Sequence, residues 1–175
     1  RVAQILEGTG IRAIAVHGRT RAQGYSGEAD WNVIGEVVGA VSIPVIGNGD
    51  LTSGADVIRR RAETGIAGAM IGRAAMSAPW IFNQVKHYFA TGEHLPPPSP
   101  EEKWELIRRH CQLAIEEWGN EDQAMRSLRA RLMAYSKGFP NSKALREKFQ
   151  HVASLAEIDE IAAGHLALDL RPASL

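Results

Sequence analysis

Ile43-Pro44-Val45-Ile46-Gly47-Asn48-Gly49-Asp50 decides the fold: a short apolar run that stops abruptly at a glycine-rich polar turn. Residues 43–46 read as a strand buried on both faces, and the segment after the turn is helical rather than a return strand. The same arrangement occurs on either side of it. Upstream, the run 11–16 ends at His17-Gly18; downstream, the run 66–71 ends at Gly72-Arg73. The segments between have helical spacing: Ile34, Val37, Val38 and Val41 over 31–41, then 55–62 with Thr52 or Ser53 as N-cap. A further helix over 79–90 starts with proline in its first turn. Gly47 follows His17 by 30 positions and Gly72 follows Gly47 by 25, the cadence of β-α units joined by right-handed crossovers. A full (β/α)8 barrel takes roughly 250 residues. Residues 1–92 are therefore expected to be the C-terminal part of a TIM barrel, contributing its last three strands.

The chain then changes character. Residues 93–100, with Leu95-Pro96-Pro97-Pro98-Ser99-Pro100, predict a stiff extended linker. Residues 101–175 contain no strand-like runs and predict a small all-α domain. Ser99 and Glu102 have the spacing of a capping box. Trp104, Ile107, Cys111, Ala114, Ile115 and Trp118 then form one apolar face, which assigns both tryptophans to the helix core. Further helices are expected over 123–136, 142–151 and 154–163.

The whole chain has 20 Lys plus Arg against 20 Asp plus Glu, so net charge alone argues for no polyanionic partner. Its distribution says more. Arg126, Arg129, Arg131, Lys137, Lys143, Arg146 and Lys148 face a single acid, Glu147, within 23 residues. Such a stripe suits contacts to nucleic-acid phosphates; it also fits a solvated helix end. The single cysteine, Cys111, excludes an internal disulfide and predicts a cytoplasmic setting. No apolar run approaches the ~20 residues of a membrane span. The opening Arg1-Val2-Ala3-Gln4 lacks an initiator Met and a targeting pattern, and reads as the inside of a helix; a fragment of a longer protein is the expectation.

In βα-barrels, ligands gather at the C-terminal ends of the strands. The three ends here carry His17-Gly18-Arg19, Asn48-Gly49-Asp50 and Gly72-Arg73. Glycines allow close backbone approach, and amides at a helix start bind phosphate. Singly, Asn48-Gly49 also reads as a tight turn, Arg73 as a solvated side chain and His17 as a structural histidine. Together they point to an anionic ligand.

The stretches Ala15–Trp31, Ile43–Asp50, Met70–Phe82 and Tyr135–Pro140 resemble bacterial tRNA-dihydrouridine synthases, and the B-type subfamily most closely. The resemblance implies flavin mononucleotide (FMN) in the barrel mouth, with NADPH as reductant and selected tRNA uridines as substrate. It implies that Asn48, Gly49 and Asp50 line the flavin, that Gly72 and Arg73 contact its phosphate, and that His17 lies beside it. Arg19 is expected to face flavin or RNA. Arg126, Arg129, Arg131 and Lys137 are expected to contact tRNA, with Tyr135 available for stacking. The family's proton-donor cysteine and a flavin-contacting lysine belong to an earlier region, so no catalytic residue is expected in this chain, and no metal ligand. Cys111, on an apolar stripe, is expected to be structural. The helix containing Arg129 departs from the family in lacking a basic-basic-His run and one aromatic. Competing readings are another FMN-dependent barrel oxidoreductase, such as a dihydroorotate dehydrogenase-like protein, and a non-catalytic RNA-binding remnant. Unpaired strand edges would favour self-association.

Overall fold

The computed structural model describes residues 1–169. It divides into two compact units, Arg1–Pro96 and the chain from Pro97 onward. The first unit alternates helix and strand: α1 (Val2–Gly8), β1 (Ile14–His17), α2 (Trp31–Ala40), β2 (Val45–Asn48), α3 (Gly54–Thr64), β3 (Gly68–Met70), α4 (Arg73–Ser77) and α5 (Ile81–Thr91). The strands form a parallel sheet in the order β1-β2-β3.

β1 and β3 are shorter than their apolar runs, and β1 and β2 are shifted toward the polar ends of theirs. Pro44 has no N–H for the ladder, although its carbonyl accepts from Ile14 N at 3.0 Å, so β2 begins only at Val45. One helix was not expected, the five-residue α4 directly after Gly72. Proline at 79 suggested a helix start at that point; instead the chain breaks at Ala78 and resumes as α5 at Ile81. The N-cap of α3 is Ser53, whose side chain accepts from Asp56 N.

The core of this unit joins Trp31 and Ile34 of α2, Val45 of β2, Val57 of α3, Leu51 and Ile66. Trp31 packs against β2 at Gly47. A Cβ on Gly47 would sit 2.6 Å from the indole ring, so only glycine permits this contact. The indole N–H donates to the Gly49 carbonyl at 3.1 Å. One buried side chain thus packs on the strand and fixes the turn that follows it.

In the second unit, α6 (Pro100–Trp118) begins with the expected reciprocal cap. Glu102 N donates to Ser99 Oγ at 3.2 Å and Ser99 N donates to Glu102 Oε2 at 2.7 Å. Three helices follow: α7 (Glu121–Tyr135), α8 (Ser142–Phe149) and α9 (Leu155–Asp169). Residues 170–175, the end of the expected 101–175 domain, lie outside the described residues. Trp104, Ile107 and Cys111 pack with Met125, Leu132, Tyr135, Phe149 and Ile158. Trp118 corrects the sequence reading: it is 55% exposed, being the last residue of α6, just before the chain turns away at Gly119. Burial pushes the Cys111 thiol from its ordinary 9.0 up to about 11.

These two cores generate two predictions. Gly47→Ala must displace the Trp31 ring and is expected to cost roughly 1–3 kcal/mol in urea unfolding; wild-type stability would contradict the packing. Cys111 in the folded chain should resist iodoacetamide at pH 8 and react only in denaturant. Because folding raises this acid's pKa, its contribution to stability is full below pH 9.0 and is lost as pH rises toward about 11.

Candidate functional site

The register of the sheet brings the strand ends together. His17 pairs with Asn48, and Asn48 with Met70. His17 Nδ1 lies 3.2 Å from the Asn48 carbonyl, and Asn48 Nδ2 donates to the Met70 carbonyl at 2.6 Å. These bonds tie the three ends into one rim. Beyond Asn48 the backbone turns sharply, with φ of 135° at Gly49 and 51° at Asp50. A non-glycine residue at positive φ is uncommon and persists only where its surroundings hold it.

What holds Asp50 is its carboxylate. Oδ1 accepts from Arg19 Nη1 at 3.0 Å and from Arg73 Nη2 at 2.6 Å. Oδ2 accepts from Arg19 Nη2 at 2.7 Å and from the Ala29 backbone N–H at 2.8 Å. The Arg19 hydrogen bonds hold the Asp50 carboxyl below its ordinary pKa against the opposing effect of burial, with Ala29 N and the charge of Arg73 adding to the effect. Arg19 does not face outward. Its side chain is only 2% exposed, and its remaining donors reach the carbonyls of Ser26 and Gly27. It therefore braces the loop 18–30 from within.

Arg73 is different: its side chain is 54% exposed. Its guanidinium carbon lies 5.0 Å from the centroid of the Tyr25 ring, and Tyr25 is itself 75% exposed. Gly72 precedes α4, and a Cβ placed on it would meet open space. An exposed guanidinium beside a bare glycine is suited to a phosphate or carboxylate. Arg19 and Arg73 against Asp50 leave this rim with a surplus positive charge. Sequence reasoning gave no role to Tyr25, although an aromatic between Gly24 and Gly27 was a usable signal.

The expected RNA-contacting residues lie in the second unit and are not equivalent. Arg126 pairs with Asp122 one turn earlier, at 2.9–3.0 Å, on an open surface. Lys137 is exposed just past α7. Arg131 is half-buried, and its charge acts on His110 and Tyr135. Arg129 donates through Nε to the Val152 carbonyl at 3.1 Å and through Nη2 to the His151 carbonyl at 3.2 Å, holding the turn after α8. Tyr135 corrects the expectation of a free stacking ring. It is buried, with its hydroxyl 2.8 Å from His110 Nδ1, because its face of α7 is covered by α6. Burial, then the charge of Arg131, holds His110 below its ordinary pKa.

Among the described residues, no group of His, Cys, Asp and Glu could hold a metal ion, and no helix is long and apolar enough to cross a membrane.

Arg129→Ala removes two bonds to backbone carbonyls and should lower stability by roughly 1–3 kcal/mol. Arg126→Ala, losing an exposed pair, should stay within about 0.5 kcal/mol of wild type. Equal denaturation midpoints for the two variants would contradict this division.

Comparison with known proteins places these features in context. The sequence profile described as Dihydrouridine synthase (Dus) matches residues 1–168. The chain is 43% identical over 148 residues to a protein named tRNA-dihydrouridine synthase B from Pseudomonas putida, covering 85% of the chain and 44% of that protein. To the protein of that name from Xanthomonas campestris it is 40% identical over 159 residues, covering 91% and 46%. To a probable tRNA-dihydrouridine synthase from Mycobacterium leprae it is 40% identical over 158 residues, covering 89% and 41%. The chain thus spans less than half the length of these curated relatives.

Proposed function

Because the chain belongs to the dihydrouridine synthase family, we propose that it supplies the phosphate side of an FMN site and a tRNA-docking helical unit to a cytoplasmic enzyme. That enzyme reduces uridine in tRNA to 5,6-dihydrouridine, with NADPH as the reductant. In this reading residues 1–92 are a C-terminal part of a (β/α)8 barrel, joined by the 93–100 linker to the helical unit. Among the described residues β1 and β3 each pair with one strand only, which suits a sheet that continues on both sides.

The observation that carries the reading is the rim beside β3. Arg73 offers an exposed cationic donor beside bare Gly72, where nothing blocks a ligand, and that pair fits the phosphate end of FMN. His17 and the Asn48-Gly49 turn border the same rim and would help to hold the flavin there. When bound, the flavin supplies the hydride chemistry, while the chain's residues bind and orient it. Cys111 donates no proton to a substrate, because it is fully buried in the helical core with its thiol pKa raised. On the RNA side, Arg126 and Lys137 present exposed positive charge for backbone phosphates; Arg131 adds to the local field, and Arg129 shapes the surface from behind. The remnant reading differs in one observable: it binds tRNA and takes up no flavin.

Titration with FMN, followed by quenching of its fluorescence, tests the cofactor site. Asn48→Ala and Arg73→Ala should each weaken binding, the latter by about tenfold or more, the scale of a charge-assisted hydrogen bond. Wild-type affinity in both variants would overturn the assignment. Replacing Arg126 and Lys137 by glutamine should lower tRNA affinity and flatten its salt dependence by roughly one unit of log–log slope per lost phosphate contact. An unchanged slope would remove these residues from the interface.

A further inference from the structure

We infer that Asp50 is a positioning residue: its carboxylate closes the loop 18–30 onto the strand ends and presents Arg73 to a phosphate, without itself touching the ligand. The inference rests on the reading that this rim takes the phosphate end of FMN. It changes the role of Asp50 from flavin lining to organiser.

Four donors converge on the two carboxylate oxygens: Arg19 Nη1 and Nη2, the Ala29 N–H and Arg73 Nη2. That saturates the lone-pair positions of the group, so little acceptor capacity remains for a ligand. A ligand phosphate would in any case be repelled by a carboxylate. Asp50 is nevertheless held at φ 51°, a backbone state most side chains avoid, so its position is imposed by its partners. Those partners are of two kinds. Arg19 and Ala29 belong to the loop, and Arg19 also reaches the carbonyls of Ser26 and Gly27, so Asp50 and Arg19 clasp the loop at its far end. Asp30 N–H, donating to the Gly18 carbonyl, closes its base. Arg73 is gripped at its edge by Asp50 and covered on its face by Tyr25, which rides on that same loop. Asp50 thus controls Arg73 twice, once directly and once through the loop that carries Tyr25. The guanidinium keeps donors beyond the single Nη2 bond to Asp50, so it can hold the carboxylate and a phosphate together.

This arrangement reverses the sign expected from charge alone. Removing a negative charge beside an anion site should tighten anion binding, whereas removing an organiser should weaken it. Asp50→Asn in the full 175-residue chain separates the two, using FMN and riboflavin as probes. We expect FMN binding to weaken about tenfold, the loss of one well-placed charge-assisted contact, with riboflavin binding unchanged because it has no phosphate. Hydrogen exchange at Ala29 and Asp30 should accelerate, while α3 and α7 amides keep their protection and show that the variant is folded. Arg19→Gln should loosen the loop in the same way. Arg73→Gln should leave loop protection intact yet weaken FMN. Tighter FMN binding by Asp50→Asn, equal weakening of FMN and riboflavin, or unchanged exchange at Ala29 and Asp30 would overturn the inference. If the wild-type chain takes up neither flavin, the cofactor reading fails for this chain, and the exchange comparison alone then decides whether Asp50 organises the loop.

Discussion

Trp31 pressed against Gly47 is the contact on which the first unit depends. The indole covers the strand where a side chain would otherwise stand, and its N–H takes the carbonyl of Gly49. Packing and hydrogen bonding therefore come from one residue, and both act on the backbone immediately before Asp50. With that turn fixed, the Asp50 carboxylate stands where Arg19, Ala29 and Arg73 reach it. A buried aromatic on α2 thereby sets the electrostatics of a rim built from three strand ends.

The charges on that rim divide the work unequally. Arg19 is enclosed and braces a loop; Arg73 is half-exposed and remains available to a ligand. A similar division appears in the second unit, where Arg129 holds the turn after α8 and Arg126 stands at the surface. Residue type gives the charge in each case, but burial and the acceptors nearby decide whether it stabilises the fold or meets a partner. The local surplus of cations near α7 is therefore smaller, as a binding surface, than a count of residues suggests.

Much of this was legible in the sequence, for identifiable reasons. Short apolar runs ending in glycine marked the three strands, and Ser99 with Glu102 marked the start of α6, because these signals are local. The start of β2 shifted because Pro44 cannot donate to a ladder, a local effect that apolarity alone conceals. The partners of Asp50 were illegible. Arg19 lies 31 positions before it and Arg73 lies 23 after it, so their meeting exists only through the parallel register. Trp118 and Tyr135 were misjudged for a related reason. Helical spacing identifies a stripe, but which part of it a neighbouring helix covers is settled by tertiary packing.

The most direct measurement of the central claim is the phosphorus NMR spectrum of FMN in the presence of the chain, with Arg73→Ala as comparison. If the rim beside β3 receives the phosphate, the FMN resonance shifts and broadens with the wild-type chain and returns toward its free position with the variant. A resonance unchanged by the wild-type chain, or perturbed equally by both, would contradict the account.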